Sequence, residues 1–146
     1  MGPETSSRIN TVNALLDGYG SLSVSRLLEP LADDFHHQVL PESLQMKKRN
    51  KEEFARHARG MFDIFDSFRM IPQFMTEDAQ RGVVVVHAHM QGMIRVIFEE
   101  WRNECVMIIR LSEDGTKIIE VQEFVDSIKA AEMRHAFAPR HFEEKH

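Results

Sequence analysis

Apolar side chains recur at helical spacing over residues 6–19, where Ile9, Val12, Leu15, Leu16 and Tyr19 fall on one stripe. "GYGS" (18–21), with its two glycines, is expected to end that helix. A second, shorter helix over about 23–32 presents Val24, Leu27, Leu28 and Leu31, with Pro30 inside it to bend or shorten it. Residues 35–40 alternate instead and stop at Pro41, as a strand does, and residues 42–50 are polar and loop-like. "NKEE" (50–53) starts a third helix, with Asn50 as cap and Glu53 in the reciprocal position. Phe54, Ala58, Met61, Phe62 and Phe65 form its stripe, and His57 borders it. After that the period changes to two. Strands are predicted at about 68–76, 82–91, 102–112 and 117–125, the last two joined through "SEDGTK", whose Asp-Gly pair is a hairpin signal. Residues 126–137 close the pattern as a helix capped by Asp126.

Helices followed by strands in antiparallel order predict an α+β fold: a curved antiparallel sheet wrapped around the N-terminal helices, a cone-like α+β barrel enclosing an apolar pocket. Residues 1–137 are expected to form a single domain and 138–146 a C-terminal tail. A length of 146 residues at 42% hydrophobic suits one sizeable core. The net charge of -5 argues against a nucleic-acid partner, and "KKRNK" (47–51) reads as a solvated loop. The single cysteine, Cys105, leaves no internal disulfide and no Cys-rich zinc site. No run approaches the ~18 apolar residues of a membrane span, so the expected setting is soluble and cytoplasmic, with no membrane partner.

Alternation sorts candidate chemistry by face. In 35–40, Phe35, His37 and Val39 share one side and His36, Gln38 and Leu40 the other. In the third long strand Asn103, Cys105, Met107 and Ile109 face one way. The fourth allows two registers: Ile119, Val121, Glu123 and Val125 inward, or Glu120, Gln122 and Phe124 inward. The three aliphatic neighbours of Glu123 favour the first, which makes Glu123 a carboxylate in apolar surroundings, its pKa raised toward neutrality by burial. His87 and His89 form a His-x-His pair of the kind that suits a metal, but no third ligand pattern accompanies them, and no metal is expected.

"LLEPLADDF" (27–35), "VVVVHAHMQG" (83–92) and "IIRLSEDGTKIIEVQEFVD" (108–126) resemble the nuclear-transport-factor-2-like superfamily in its SnoaL-like branch, over nearly the whole chain. The "EFVDS" ending is also similar to the small fungal meroterpenoid isomerases of that branch, which need no cofactor. The resemblance implies that position 39 faces inward, and with it His37, while His36 faces out. It likewise implies that Val84, Val86, Ala88 and Met90 point in, that His57 sits at an inner position, and that His87 and His89 lie on the convex face, where the superfamily dimerises. The ketosteroid isomerase set is absent: its base, tyrosine and acidic donor fall on Val39, Leu15 and Met107. A single tyrosine also excludes the tyrosine-rich set of scytalone dehydratase.

The implied activity is a cofactor-independent isomerase or cyclase acting by general acid–base catalysis on a bulky, apolar, oxygenated natural product. A polyketide–terpenoid carrying a lactone or β-keto ester fits that description. Glu123 would take the proton, with His37, His57 and Asn103 as donors and Asp126 either a second carboxylate or only a helix cap. Phe35, Phe54, Met61, Phe62, Met90 and Met107 would form the wall, and Tyr19 would reach the pocket. The alternatives are a dimeric small-molecule-binding module without chemistry and a dehydratase of the same fold. A small-molecule substrate, a homodimer and no cofactor are expected.

Overall fold

The computed structural model describes residues 5–137; the expected tail at 138–146 lies outside the described residues. Helix α1 (Ser7–Ser21) starts where the Ser6 hydroxyl accepts from the Ile9 N–H, and it ends at Leu22 in a left-handed conformation (φ 54°). The glycines of "GYGS" therefore stay inside the helix. A Cβ on Gly18 would lie 2.8 Å from Leu27 Cα, so Gly18 serves the close crossing of α2 (Val24–Leu28) rather than a break. Pro30 cannot donate a backbone bond, and the chain leaves the helix before it. Strand β1 (Leu31–Leu40) begins at once, longer than the alternation of 35–40 alone suggested, and Leu31 belongs to the sheet.

A short 3-10 turn, Glu42–Leu44, leads to a two-residue strand β2 (Arg49–Asn50) paired with His36 and His37. The basic run is thus not a solvated loop throughout: Arg49 is fully buried. Helix α3 (Lys51–Ile64) carries the expected capping box, Asn50 accepting from the Glu53 N–H and Glu53 accepting from the Asn50 N–H. Strands β3 (Phe65–Asp78), β4 (Val83–Ile94), β5 (Glu99–Leu111) and β6 (Ile118–Val125) follow, then α4 (Ser127–Phe137).

The six strands form one sheet in the order β2-β1-β6-β5-β4-β3. It is mixed and open, not wholly antiparallel: β1 runs parallel to β6, while all other neighbours are antiparallel. One face buries Phe35, Val84, Val86, Ala88, Met107, Ile109 and Val121 against Val12, Leu15, Leu27 and Phe54 from the helices. Burial of that apolar surface is the main stabilising contribution. The register of β6 is the one that points Glu123 inward. Its start differs, because the β5–β6 ladder shifts between Arg110 and Leu111. That irregularity puts Ile118, not Ile119, in the core.

Candidate active site

β1 and β6 lie side by side, with Val39 opposite Glu123 and His37 opposite Val121. His37 and Glu123 therefore project from adjacent strands onto the helix-covered face, and both are buried. His37 Nε2 lies 3.1 Å from Glu123 Oε1. With Glu123 ionised, Nε2 carries the proton and donates to the carboxylate, which fixes the imidazole tautomer. Nδ1 of His37 is then an acceptor, buried and without a hydrogen-bond partner among the described residues. The His37 ring packs against Phe54 at 4.7 Å and stacks toward His57 at 6.4 Å between centroids.

His57 reaches this point from α3, whose stripe faces the sheet. Burial, the nearby Arg49 guanidinium and His37 hold its pKa well below the ordinary histidine value, so the ring is neutral at physiological pH. Tyr19 comes from α1. Burial and the Glu123 carboxylate push its hydroxyl well above the usual range, and it remains a protonated donor. The Cys105 thiol is raised too, by burial and then by Glu123 and Glu104, and is not a nucleophile. Asn103 sits on β5 with its side-chain oxygen accepting from the Glu104 N–H at 2.7 Å, which leaves its amide hydrogens for a ligand.

These groups surround one cavity with two lobes, and both lobes are bounded by Val39, His57, Met61, Met90 and Glu123. The inner lobe adds Tyr19, His37, Phe54 and Met70, with a cavity volume of about 40 Å³. The outer lobe adds Phe65, Trp101, Asn103, Val125, Ala130 and Met133, with a cavity volume of about 90 Å³, and opens to solvent. A few polar groups converging in an apolar cleft are the usual form of a small-molecule site.

Of the residues expected here, Glu123, His37, His57, Asn103, Tyr19, Phe54, Met61 and Met90 are brought together. Phe35, Phe62 and Met107 are in the core and line neither lobe. Asp126 lines neither lobe either: it is exposed, and its Oδ1 accepts from the N–H groups of Ile128 and Lys129 at the start of α4. Capping explains it. Trp101 and Arg49 went unrecognised in the sequence; Trp101 sits between charged residues and Arg49 within a basic run. His87 and His89 do point outward, but the β4–β5 register gives them the third group the sequence pattern lacked, Glu104.

A mixed, curved sheet closed on one face by helices around such a cleft defines a SnoaL-like fold of the nuclear-transport-factor-2-like type. BvnE pinacolase from Penicillium brevicompactum superposes with a TM-score of 0.83 at 16% identity, covering 90% of this chain and 94% of that one. A SnoaL-like chain from Jannaschia sp. CCS1 does so with a TM-score of 0.69 at 18% identity, covering 94% and 99%. In sequence, austinoid biosynthesis clusters protein J of Emericella nidulans is 33% identical over 139 residues, 90% of this chain and 82% of that protein. Monooxygenase nsrS of Aspergillus novofumigatus is 28% identical over 118 residues, 80% and 79%. No family model matches the chain. The chain belongs to the SnoaL-like family of fungal secondary-metabolism proteins that includes austinoid cluster protein J. No helix among the described residues is long and apolar enough to cross a membrane.

Proposed function

We propose that the protein is a cofactor-independent isomerase or cyclase that acts by general acid–base catalysis on a bulky, apolar, oxygenated natural product. The observation that carries this reading is the His37–Glu123 pair in an apolar cleft, with the neutral ring of His57 beside it. Glu123, oriented by His37, takes a proton from carbon next to a carbonyl or from a hydroxyl. The developing oxyanion is met by donors that need no charge: the Tyr19 hydroxyl, the Asn103 amide and the His57 N–H. Return of the proton at another atom completes an isomerisation; attack of an activated hydroxyl on a carbonyl completes a ring closure.

The class of substrate follows from the walls. Phe54, Met61, Phe65, Met90 and Trp101 offer adaptable apolar contact, with few polar groups to satisfy. A polyketide–terpenoid with a lactone or β-keto ester meets that requirement, and the kinship with an austinoid cluster protein supports it. We read Asp126 as a cap and the working unit as a homodimer joined through the outer sheet face. The word monooxygenase in the name of nsrS supports a second reading, an oxidation that consumes dioxygen.

The test is incubation with polyketide–terpenoid lactones and β-keto esters in D₂O, followed by mass spectrometry and an oxygen electrode. An isomeric product formed without oxygen uptake and lost in Glu123→Gln is the expected result, with deuterium on carbon where a proton has moved between atoms and none where a hydroxyl has closed a ring. Oxygen consumption with a heavier product would establish the second reading. Tight binding with no turnover would make the chain a carrier.

A further inference from the structure

On the face of the sheet opposite the cavity, β4 and β5 assemble a cluster that the proposed chemistry does not use. His87 and His89 are two residues apart on β4, so both rings leave the same side of the strand. Glu104 on β5 is the direct cross-strand partner of His89, and Val106 is that of His87. The Glu104 carboxylate therefore lies between the two rings. Its Oε2 is within hydrogen-bonding distance of His87 Nε2 and 3.6 Å from His89 Nε2. The ring centroids are 5.5 Å apart and nearly perpendicular, and one ligand atom from each residue falls within 4.8 Å of the others.

We propose that His87, His89 and Glu104 form a binding site for a divalent transition-metal ion of the zinc type. Two imidazole nitrogens and a carboxylate oxygen suit the borderline character of Zn²⁺, and three protein ligands leave a fourth position for water. Ligand atoms around tetrahedral zinc stand about 3.4 Å apart, given bonds of about 2.0–2.1 Å. The atoms here stand within 4.8 Å of one another, close to that spacing. Those strands are inner members of the sheet, paired on both sides, so the backbone holds the geometry. The exposed rings of Phe74 and Phe124, with Val106, belong to the same outer face of the sheet. Two cations lie in the same depression as His89 and Glu104: Arg102, engaged by Glu100 at 2.8 Å, and Lys129.

The site is on the reverse of the sheet from the cleft and does not depend on the activity proposed for it. The experiment uses untagged, chelator-treated protein, titrated with Zn²⁺ by calorimetry and with Co²⁺ by visible absorption. The expected result is one ion per chain, a Co²⁺ spectrum of tetrahedral type, and displacement of Co²⁺ by Zn²⁺. His87→Ala, His89→Ala and Glu104→Gln should each weaken binding roughly tenfold or more, since loss of even an outer-shell group commonly costs that much. His36→Ala, which removes an exposed histidine from β1, should leave affinity unchanged. In the single chain His36, His89 and Glu104 are exposed and His87 is half-buried, but the three ligands lie on the face proposed for the homodimer, so light scattering follows the oligomeric state of each variant and circular dichroism its fold. Binding that none of the three substitutions weakens, or no binding at all, would overturn the proposal.

Discussion

Glu123 on β6 and His37 on β1 meet at 3.1 Å across the single parallel pairing of the sheet. The imidazole orients the carboxylate within the apolar cleft. Glu123→Gln keeps the shape of the side chain and removes the base. Turnover should fall by roughly 10²–10⁴-fold while the unfolding midpoint changes little. Steady-state rates beside thermal melts check this; normal turnover would place the base elsewhere.

His57 gives stability an acid-sensitive component. Its folded pKa is held below the ordinary value of 6.5 by burial, by Arg49 and by His37. The unfolded chain therefore binds a proton that the folded chain refuses. This contribution is fully present above about pH 6.5 and is lost as pH falls from there toward the folded pKa. Urea unfolding at a series of pH values should show stability declining through that window. His57→Gln should make the decline shallower, by up to one proton's worth of slope.

Gly92 has a packing role against Phe65, which lines the outer lobe. A Cβ there would lie 2.5 and 2.6 Å from two ring atoms of Phe65 and 3.0 Å from the Ser67 carbonyl oxygen. The Phe65 ring cannot simply withdraw, because Phe68 and Trp101 pack against it at 5.1 and 5.4 Å. Gly92→Ala should cost about 1–3 kcal/mol, as overpacking does, with substrate affinity weakened as well. Chemical denaturation and a KM measurement test the two effects together.

Asn50→Ala removes one half of the capping box at the start of α3 and should cost about 1 kcal/mol. Because α3 carries His57, the variant should also lower kcat more than a surface change of equal stability cost. Asn50→Asp, which restores the acceptor, should recover most of both.

Much of the site could be read from the sequence because alternation in strands is a strong signal when one face is apolar. Three aliphatic neighbours placed Glu123 indoors; alternation grouped His37 with Phe35 and Val39, and Asn103 with Cys105 and Met107, while the family resemblance turned His37 inward. Alternation gives the side of the sheet and not the depth, however. Phe35 and Met107 are on the correct face but behind the wall, where the helices pack tightly. Asp126 matched a terminal motif, yet its neighbours are the first backbone N–H groups of α4. The burial of Arg49 depends on a two-residue pairing with β1, a tertiary event that no periodicity announces. Glu104 joins His87 and His89 only through the β4–β5 register.

The parallel contact between β1 and β6 also bears on when the protein can first work. The proposed acid–base pair joins residues 86 positions apart. The turn at Gly115 lies between them in sequence, before β6. A chain severed at that turn would yield two pieces, one holding the histidine and the other the carboxylate. Neither could move a proton in the proposed manner, and activity would return only on reassembly of the sheet. On the ribosome the same logic applies: a nascent chain has no functional centre until its last strand has emerged and docked beside its first.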